Sequence, residues 1–466
     1  MLNRPGFLRY FLPAAAGLLM LNACGFPLMS PSDQDQTTKL DQFIAEGGYK
    51  LARRFEIESF NETWWHDGQA IQISLLAPAE PGNYPVIVYL PGLGETADGG
   101  RLWREQWAKA GYLVFSVQPE AVAEAFADLK QAMPDKADEE ASPIWEDDAE
   151  TAESFKLFKG DERRPSRLLR ASELRYIGRE YFAAKSLENR IGHVLWAYTQ
   201  CRQRSQARQG IFAKADSAQL LLAGYDLGAQ AVSALIGENT DIVIPVIADF
   251  KPQAALVISP FVDASAGKLQ ERYWKITLPF LAVTAEEDKD PYGITTPKLR
   301  PAIWEYSDSA VKYLLLLKQA DHRLLAGSNW SERPSEKARH ADADGLMPDF
   351  ADHPRKGSRR NGETADGEMG MQRGRFFGAE DRIPIHQQVA AVVGISTAFF
   401  DSIAKADNFA VLWLSQKAQP WLKGIGHLNN KPRKIIGSHE NHEKASDSYH
   451  SKELHRTGES TSSITQ

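Results

Sequence analysis

The chain has only two cysteines, Cys24 and Cys201, in 466 residues. A disulfide framework is therefore excluded, and stability has to come from a buried core. A cationic surplus is also missing: 54 Lys and Arg stand against 61 Asp and Glu, giving a net charge of −7 with no basic patch. That balance argues against a nucleic-acid partner, because neutralising phosphates is what gives such proteins their affinity. No internal repeat is evident, and no pattern asks for a metal ion or an organic cofactor. The apolar run from Phe11 to Leu21 is too short to span a bilayer comfortably. What the chain does have is 43% hydrophobic and 25% charged residues, the ordinary balance of a folded globular protein.

The first residues read as an address. Arg4 and Arg9 form a positive start, Phe11 to Leu21 an apolar stretch, and Leu21-Asn22-Ala23-Cys24 follows. That tetrapeptide resembles the lipobox of bacterial lipoproteins, although Asn22 is less usual there than a small residue. The resemblance implies a cleaved leader over residues 1–23 and a diacylglycerol on the Cys24 thiol. An ordinary secretory signal is the plainer alternative. Gly25 stands where the inner-membrane retention signal of those lipoproteins has aspartate, which points to a lipid-anchored envelope protein on the periplasmic side of the outer membrane. Loss of Arg4 and Arg9 with the leader takes the net charge to −9. With Cys24 acylated, Cys201 has no intramolecular partner, and its helical setting in Trp196 to Cys201 predicts a packed thiol.

Residues 24–50 are polar and read as a tether. From Tyr84 the pattern becomes strand, glycine turn, helix, strand: Pro85 to Leu90, then Pro91-Gly92-Leu93-Gly94, a helix around Trp103 to Ala110, and Tyr112 to Val117. Further apolar runs follow at Leu220 to Ala223, Ala255 to Ile258, Phe280 to Val283 and Tyr313 to Leu317. Continuous apolar strands alternating with helices predict an α/β domain, with a mostly parallel sheet covered on both faces, over residues 51–425. Residues 120–175, rich in charge and alanine, read as a helical insertion. Residues 328–382 read as a polar excursion, and residues 426–466 as a disordered tail. Between the last two, Val389, Val392, Val393, Ile395, Phe399, Phe400 and Ile403 mark one apolar face of a helix, and a second helix covers Phe409 to Trp421.

The chemistry centres on Leu221 to Gln230, where an apolar strand meets a helix through Gly224-Tyr225-Asp226-Leu227-Gly228. A strand-to-helix turn this sharp needs glycine on both sides of its central residue, the geometry of a nucleophile elbow. Two partners follow in the chain order nucleophile, acid, histidine. After Val283-Thr284 comes Glu286-Glu287-Asp288-Lys289-Asp290, and after Leu317 comes Asp321-His322. His322 on the turn after the last strand can reach the elbow, and an acid from the preceding turn fixes its tautomer. Asp288 is preferred to Asp290 by its distance from the strand end, with Asp263 a distant third. Pro91 to Gly94 sits where an oxyanion loop belongs, so the N–H groups of Leu93 and Leu227 are the candidate donors.

From Tyr84 to Leu422 these residues resemble the α/β-hydrolase superfamily, nearest its platelet-activating-factor acetylhydrolase and dienelactone hydrolase branches. Pro91 stands where those branches have histidine, and Asp226 where they have serine or cysteine. The substitution at the elbow decides the chemistry. A carboxylate attacking an ester forms an adduct from which the carboxylate itself is the better leaving group. On a saturated carbon, by contrast, it expels a halide or an epoxide oxygen and leaves an alkyl ester for His322 to hydrolyse with water. Dehalogenases and epoxide hydrolases of this fold work that way, yet Leu227 replaces the tryptophan of the former and Pro91-Gly92-Leu93-Gly94 the His-Gly-x-Pro of the latter. The open readings are thus a small-molecule hydrolase with a working Asp226, a carboxylic-ester hydrolase that bypasses it, and a non-catalytic lipoprotein that binds a ligand or partner. Tyr176 and Tyr181 in the insertion are candidate ring donors.

Overall fold

The structure, a computed structural model, describes residues 31–127, 163–263, 267–330 and 382–430. The expected leader over residues 1–23, Cys24, residues 128–162 of the expected insertion, 331–381 of the expected excursion and 431–466 of the expected tail lie outside the described residues.

Nine strands form a single sheet in the order β1-β2-β4-β3-β5-β6-β7-β8-β9. They are β1 (Ile57–His66), β2 (Gln69–Pro78), β3 (Tyr84–Leu90), β4 (Leu113–Pro119), β5 (Ala215–Tyr225), β6 (Pro252–Ile258), β7 (Phe280–Glu287), β8 (Lys312–Asp321) and β9 (Gly426–Asn429). Strands β3 to β8 run parallel to one another, whereas β1, β2 and β9 pair antiparallel at the edges. The protein is thus of the α/β class with a mixed, mostly parallel sheet. The six apolar runs read from the sequence are the six parallel strands. Their continuity follows from burial on both faces: in β3, Val86, Val88 and Leu90 join one apolar cluster and Ile87 and Tyr89 the other.

Helices α1 (Pro31–Ala45), α2 (Arg101–Lys109), α3 (Ala184–Gln206), α4 (Leu227–Leu235) and α5 (Ile385–Ala404) flank the sheet. Trp103 and Trp107 on α2 and Phe399 and Phe400 on α5 fill one cluster, while Ile191, Val194, Tyr198 and Cys201 on α3 fill the other. The apolar face expected on α5 is the buried one, with Ile403 half-buried at its end. Cys201 is buried as expected, and burial pushes its thiol up to about 12. The second closing helix breaks at Lys417 into Asn408–Gln416 and Ala418–Leu422.

Three boundaries differ from the sequence reading. The expected tether contains α1, whose Leu40, Phe43 and Ile44 form an apolar stripe at i, i+3 and i+4 against the core. Leu40 is fully buried, and Tyr49 just beyond the helix donates to Asp401 Oδ2 at 2.8 Å. The helix is polar on average, so composition hid its one apolar stripe. The expected tail starts four residues late as structure: Gly426–Asn429 pairs with β8. The antiparallel β1–β2 hairpin also escaped the sequence reading; its outer strand mixes half-buried and exposed positions and carries no continuous apolar run. Where it is described, the insertion is helical, at Glu120–Ala123 and Arg163–Tyr181, and so runs past residue 175. Among the described residues no helix is long and apolar enough to cross a membrane.

Candidate active site

Parallel strands bring their C-terminal ends to one edge of the sheet, where side chains from different loops converge. Asp226 follows β5, Ser259 follows β6, Asp288 follows β7, His322 follows β8 and the 91–95 turn follows β3. All four named side chains are buried.

Asp226 occupies a strained corner, with φ 51° and ψ −110°. A non-glycine residue held there costs about 1–3 kcal/mol. Packing enforces the turn from both sides. A Cβ on Gly228 would lie 1.9 Å from the Leu90 carbonyl oxygen, and one on Gly224 would lie 2.5 Å from the carbonyl oxygen of Gly228. Helix α4 therefore starts against the end of β3, and Asp226 projects beyond the sheet edge as its N-cap residue.

Asp226 offers its two oxygens to different neighbours. Oδ2 accepts from the Leu93 N–H at 3.4 Å and from the Tyr292 hydroxyl at 3.3 Å. Oδ1 faces His322 Nε2 at 3.7 Å, beyond hydrogen-bond reach. Leu227, the other expected donor, opens α4, where the first N–H groups have no intrahelical acceptor.

On the far side of the ring, His322 Nδ1 lies 2.8 Å from Asp288 Oδ1 and 3.0 Å from Ser259 Oγ. Asp288 is heavily bound. It accepts from Ser259 Oγ at 2.5 Å and from Thr284 Oγ1 at 2.7 Å, and it pairs with Arg300 Nε at 3.2 Å. Arg300 is itself fixed by the Ser259 and Pro260 carbonyls. Asp290, the rival for the acid position, instead accepts the backbone N–H groups of Tyr292, Ile294 and Thr295 and faces Arg300 at 3.5 Å. The Asp263 carbonyl accepts from Arg272, and the Asp263 charge acts on that arginine.

These neighbours set the charges. Burial alone would raise Asp288, but the Arg300 charge and the hydrogen bond from His322 bring its carboxyl down to about 2. Burial raises Asp226, only partly offset by His322 and Arg300. For His322 burial works downward, yet the bond to Asp288 and the charges of Asp288 and Asp226 leave it raised. The result is an imidazole locked in orientation by one firmly ionised carboxylate and facing a second through its free nitrogen.

The turn behind Leu93 is also built. Gln118 Nε2 donates to the carbonyls of Gly92 and Glu95, and Glu95 Oε2 accepts the Gly92 N–H at 2.9 Å. Ser328 donates to the other oxygen of Glu95. Over Asp226 lies a separate apolar cluster of Leu93, Val122, Phe182, Leu227, Phe261 and Tyr292.

Asp226, Asp288, His322 and Leu93, all singled out from the sequence, therefore meet in one place. The insertion tyrosines do not reach it: Tyr176 is exposed, and the Tyr181 hydroxyl donates to the Ala121 carbonyl. The tyrosine whose hydroxyl reaches Asp226 is Tyr292, two residues beyond Asp290 in the turn after β7. Sequence reasoning also missed Ser259 and Arg300. Ser259 follows an apolar strand directly, which was a usable signal; Arg300 lies in a loop with no pattern. No protein-family model matches the chain, and no curated protein matches it either.

Proposed function

We propose that this chain is a hydrolase of the α/β-hydrolase type in which Asp226 is the nucleophile, His322 activates water and Asp288 holds His322. The strand order, with an antiparallel hairpin leading into a parallel sheet, supports that fold type. One observation carries the mechanism. His322 is tied to Asp288 through Nδ1, while its Nε2 stops 3.7 Å short of Asp226 Oδ1. A serine in that place would have to give a proton to the ring before it could attack. A carboxylate can attack as the anion, the form that the His322 and Arg300 charges favour against burial, so the imidazole is left for water.

The first step is attack by Asp226 Oδ1 on a saturated carbon, which forms an alkyl ester and breaks that carbon's bond to a halide, which leaves as the anion, or to an epoxide oxygen, which takes a proton from solvent and becomes a hydroxyl. In the second step, water attacks the carboxyl carbon and gives its proton to His322 Nε2. The charges support this order. Asp226 is one of the groups raising His322, and esterification deletes that charge. The ring therefore releases its own proton more readily at the stage when it must accept one from water. The substrate is apolar around the reacting carbon, to match Leu93, Phe182, Leu227, Phe261 and Tyr292. Lipid attachment at Cys24 would hold the enzyme at the envelope membrane.

The test is turnover by purified protein of aryl esters, epoxides and haloalkanes, repeated with Asp226→Asn. Turnover of an epoxide or a haloalkane that is lost in Asp226→Asn is the expected result. Ester turnover that persists in the variant would mean that Asp226 is bypassed. Absence of any turnover would favour a ligand-binding role.

A further inference from the structure

We propose that Tyr292 is the second donor of the oxyanion hole, acting when the Asp226 ester is hydrolysed and not when it is formed. The proposal rests on Asp226 being the nucleophile. Asp226 Oδ2 receives two donors, the Leu93 N–H at 3.4 Å and the Tyr292 O–H at 3.3 Å, and Oδ1 is the oxygen turned to His322. Alkylation of Oδ1 makes Oδ2 the carbonyl oxygen of the ester. That atom already lies between its two donors, and such contacts tighten when charge develops on the acceptor.

The hydroxyl is placed by a rigid turn. Asp290 gathers the N–H groups of Tyr292, Ile294 and Thr295 and faces Arg300, so the backbone on both sides of Tyr292 is fixed. The ring is buried, stacked on Phe126 and packed against Phe182. Burial, with the charges of Asp226 and Asp290, holds its phenol well above the ordinary range, so it stays protonated and remains a donor.

In the hydrolytic step the water oxygen bonds to the carboxyl carbon and its proton passes to His322 Nε2. The π pair of the C=Oδ2 bond moves onto Oδ2, where Leu93 and Tyr292 bind it. Collapse restores C=Oδ2, breaks the carbon–Oδ1 bond and releases an alcohol that keeps Oδ1 and takes the proton back from His322. Alkylation has the opposite demand, because negative charge leaves Oδ2 as the ester forms. A donor on Oδ2 therefore favours the second step and gives no help to the first.

The experiment compares the wild type with Tyr292→Phe, which keeps the ring and removes only the hydroxyl. Each protein is mixed with styrene oxide or 1-bromohexane, quenched at intervals, and the mass of the Asp226 peptide is followed. The expected result is adduct formation no slower than in the wild type and adduct decay slowed by about 100-fold, the effect of losing one oxyanion donor. An adduct that decays at the wild-type rate overturns the proposal and leaves Asp226 as nucleophile. Slower formation overturns it too, placing Tyr292 on the leaving group. No adduct with either probe, even in His322→Gln, removes the nucleophile reading and this proposal with it.

Discussion

Gly228→Ala tests whether the elbow is held by backbone contact. The added Cβ would lie 1.9 Å from the Leu90 carbonyl oxygen, 2.5 Å from its carbon and 2.8 Å from the Pro91 carbonyl oxygen. Real Cβ atoms keep at least 3.0 Å, so the chain is 1.1 Å short at the closest of these contacts. Leu90 cannot give way, because it is locked in register opposite Gly224 within the sheet. The first turn of α4 must move instead, carrying Asp226 with it. The Leu93 N–H contact to Oδ2, already 3.4 Å, then passes out of reach. Overpacking of this kind costs about 1–3 kcal/mol. For a domain of this size that lowers Tm by roughly 2–4 °C per kcal/mol. A misplacement of about 1 Å at a reacting centre costs on the order of 100-fold in rate. Thermal unfolding followed by circular dichroism reads the first effect, and single-turnover alkylation of Asp226 the second. Gly192→Ala is the control: it lies inside α3 with nothing within 4 Å of the added Cβ, and it should be neutral or stabilising by about 0.5–1 kcal/mol. A Gly228→Ala protein with unchanged Tm and unchanged alkylation would refute the reasoning.

Asp288 should leave a signature in acid. Its carboxyl is lowered from 3.8 to about 2, so it contributes about 2 kcal/mol of stability that is complete above pH 4 and lost as pH falls toward 2. Urea unfolding across that range should show this loss in the wild type and not in Asp288→Asn; parallel curves would contradict it. Leu40→Ala should cost about 2–5 kcal/mol in the same assay, because Leu40 on α1 is fully buried in the core. A neutral result would mean that α1 is a tether after all. Cys24→Ser, expressed in a bacterial host, should abolish palmitate labelling and release the protein from membranes; unchanged labelling would remove the lipobox reading.

The sequence made the site more legible than the edges of the fold. Gly224 and Gly228 announce a turn that nothing larger fits, and strand ends fix which loops converge, so Asp226, Asp288, His322 and Leu93 could be read from position alone. The choice between Asp288 and Asp290 turned on a difference of two residues, and the structure gives each carboxylate its own task. One binds the imidazole and the other gathers backbone N–H groups. Tyr292 and Arg300 could not be assigned beforehand, because their relation to the site depends on how separate loops pack over the sheet, whereas Ser259 was marked by its place at the end of an apolar strand. Polarity misled at both ends. In α1 and β9, a few apolar or backbone contacts outweigh a polar composition that suggests loose chain.

The nucleophile is tested most directly by isotope. With His322→Gln, an epoxide or haloalkane substrate should leave the Asp226 peptide heavier by the alkyl group, because the proposed mechanism then lacks its base for activating water. With wild-type protein in H₂¹⁸O under single-turnover conditions, ¹⁸O should enter the Asp226 carboxylate, and the alcohol should carry the unlabelled oxygen it took from Asp226. Label found directly in the alcohol, with no adduct in the histidine variant, would contradict the account and reduce Asp226 to a base.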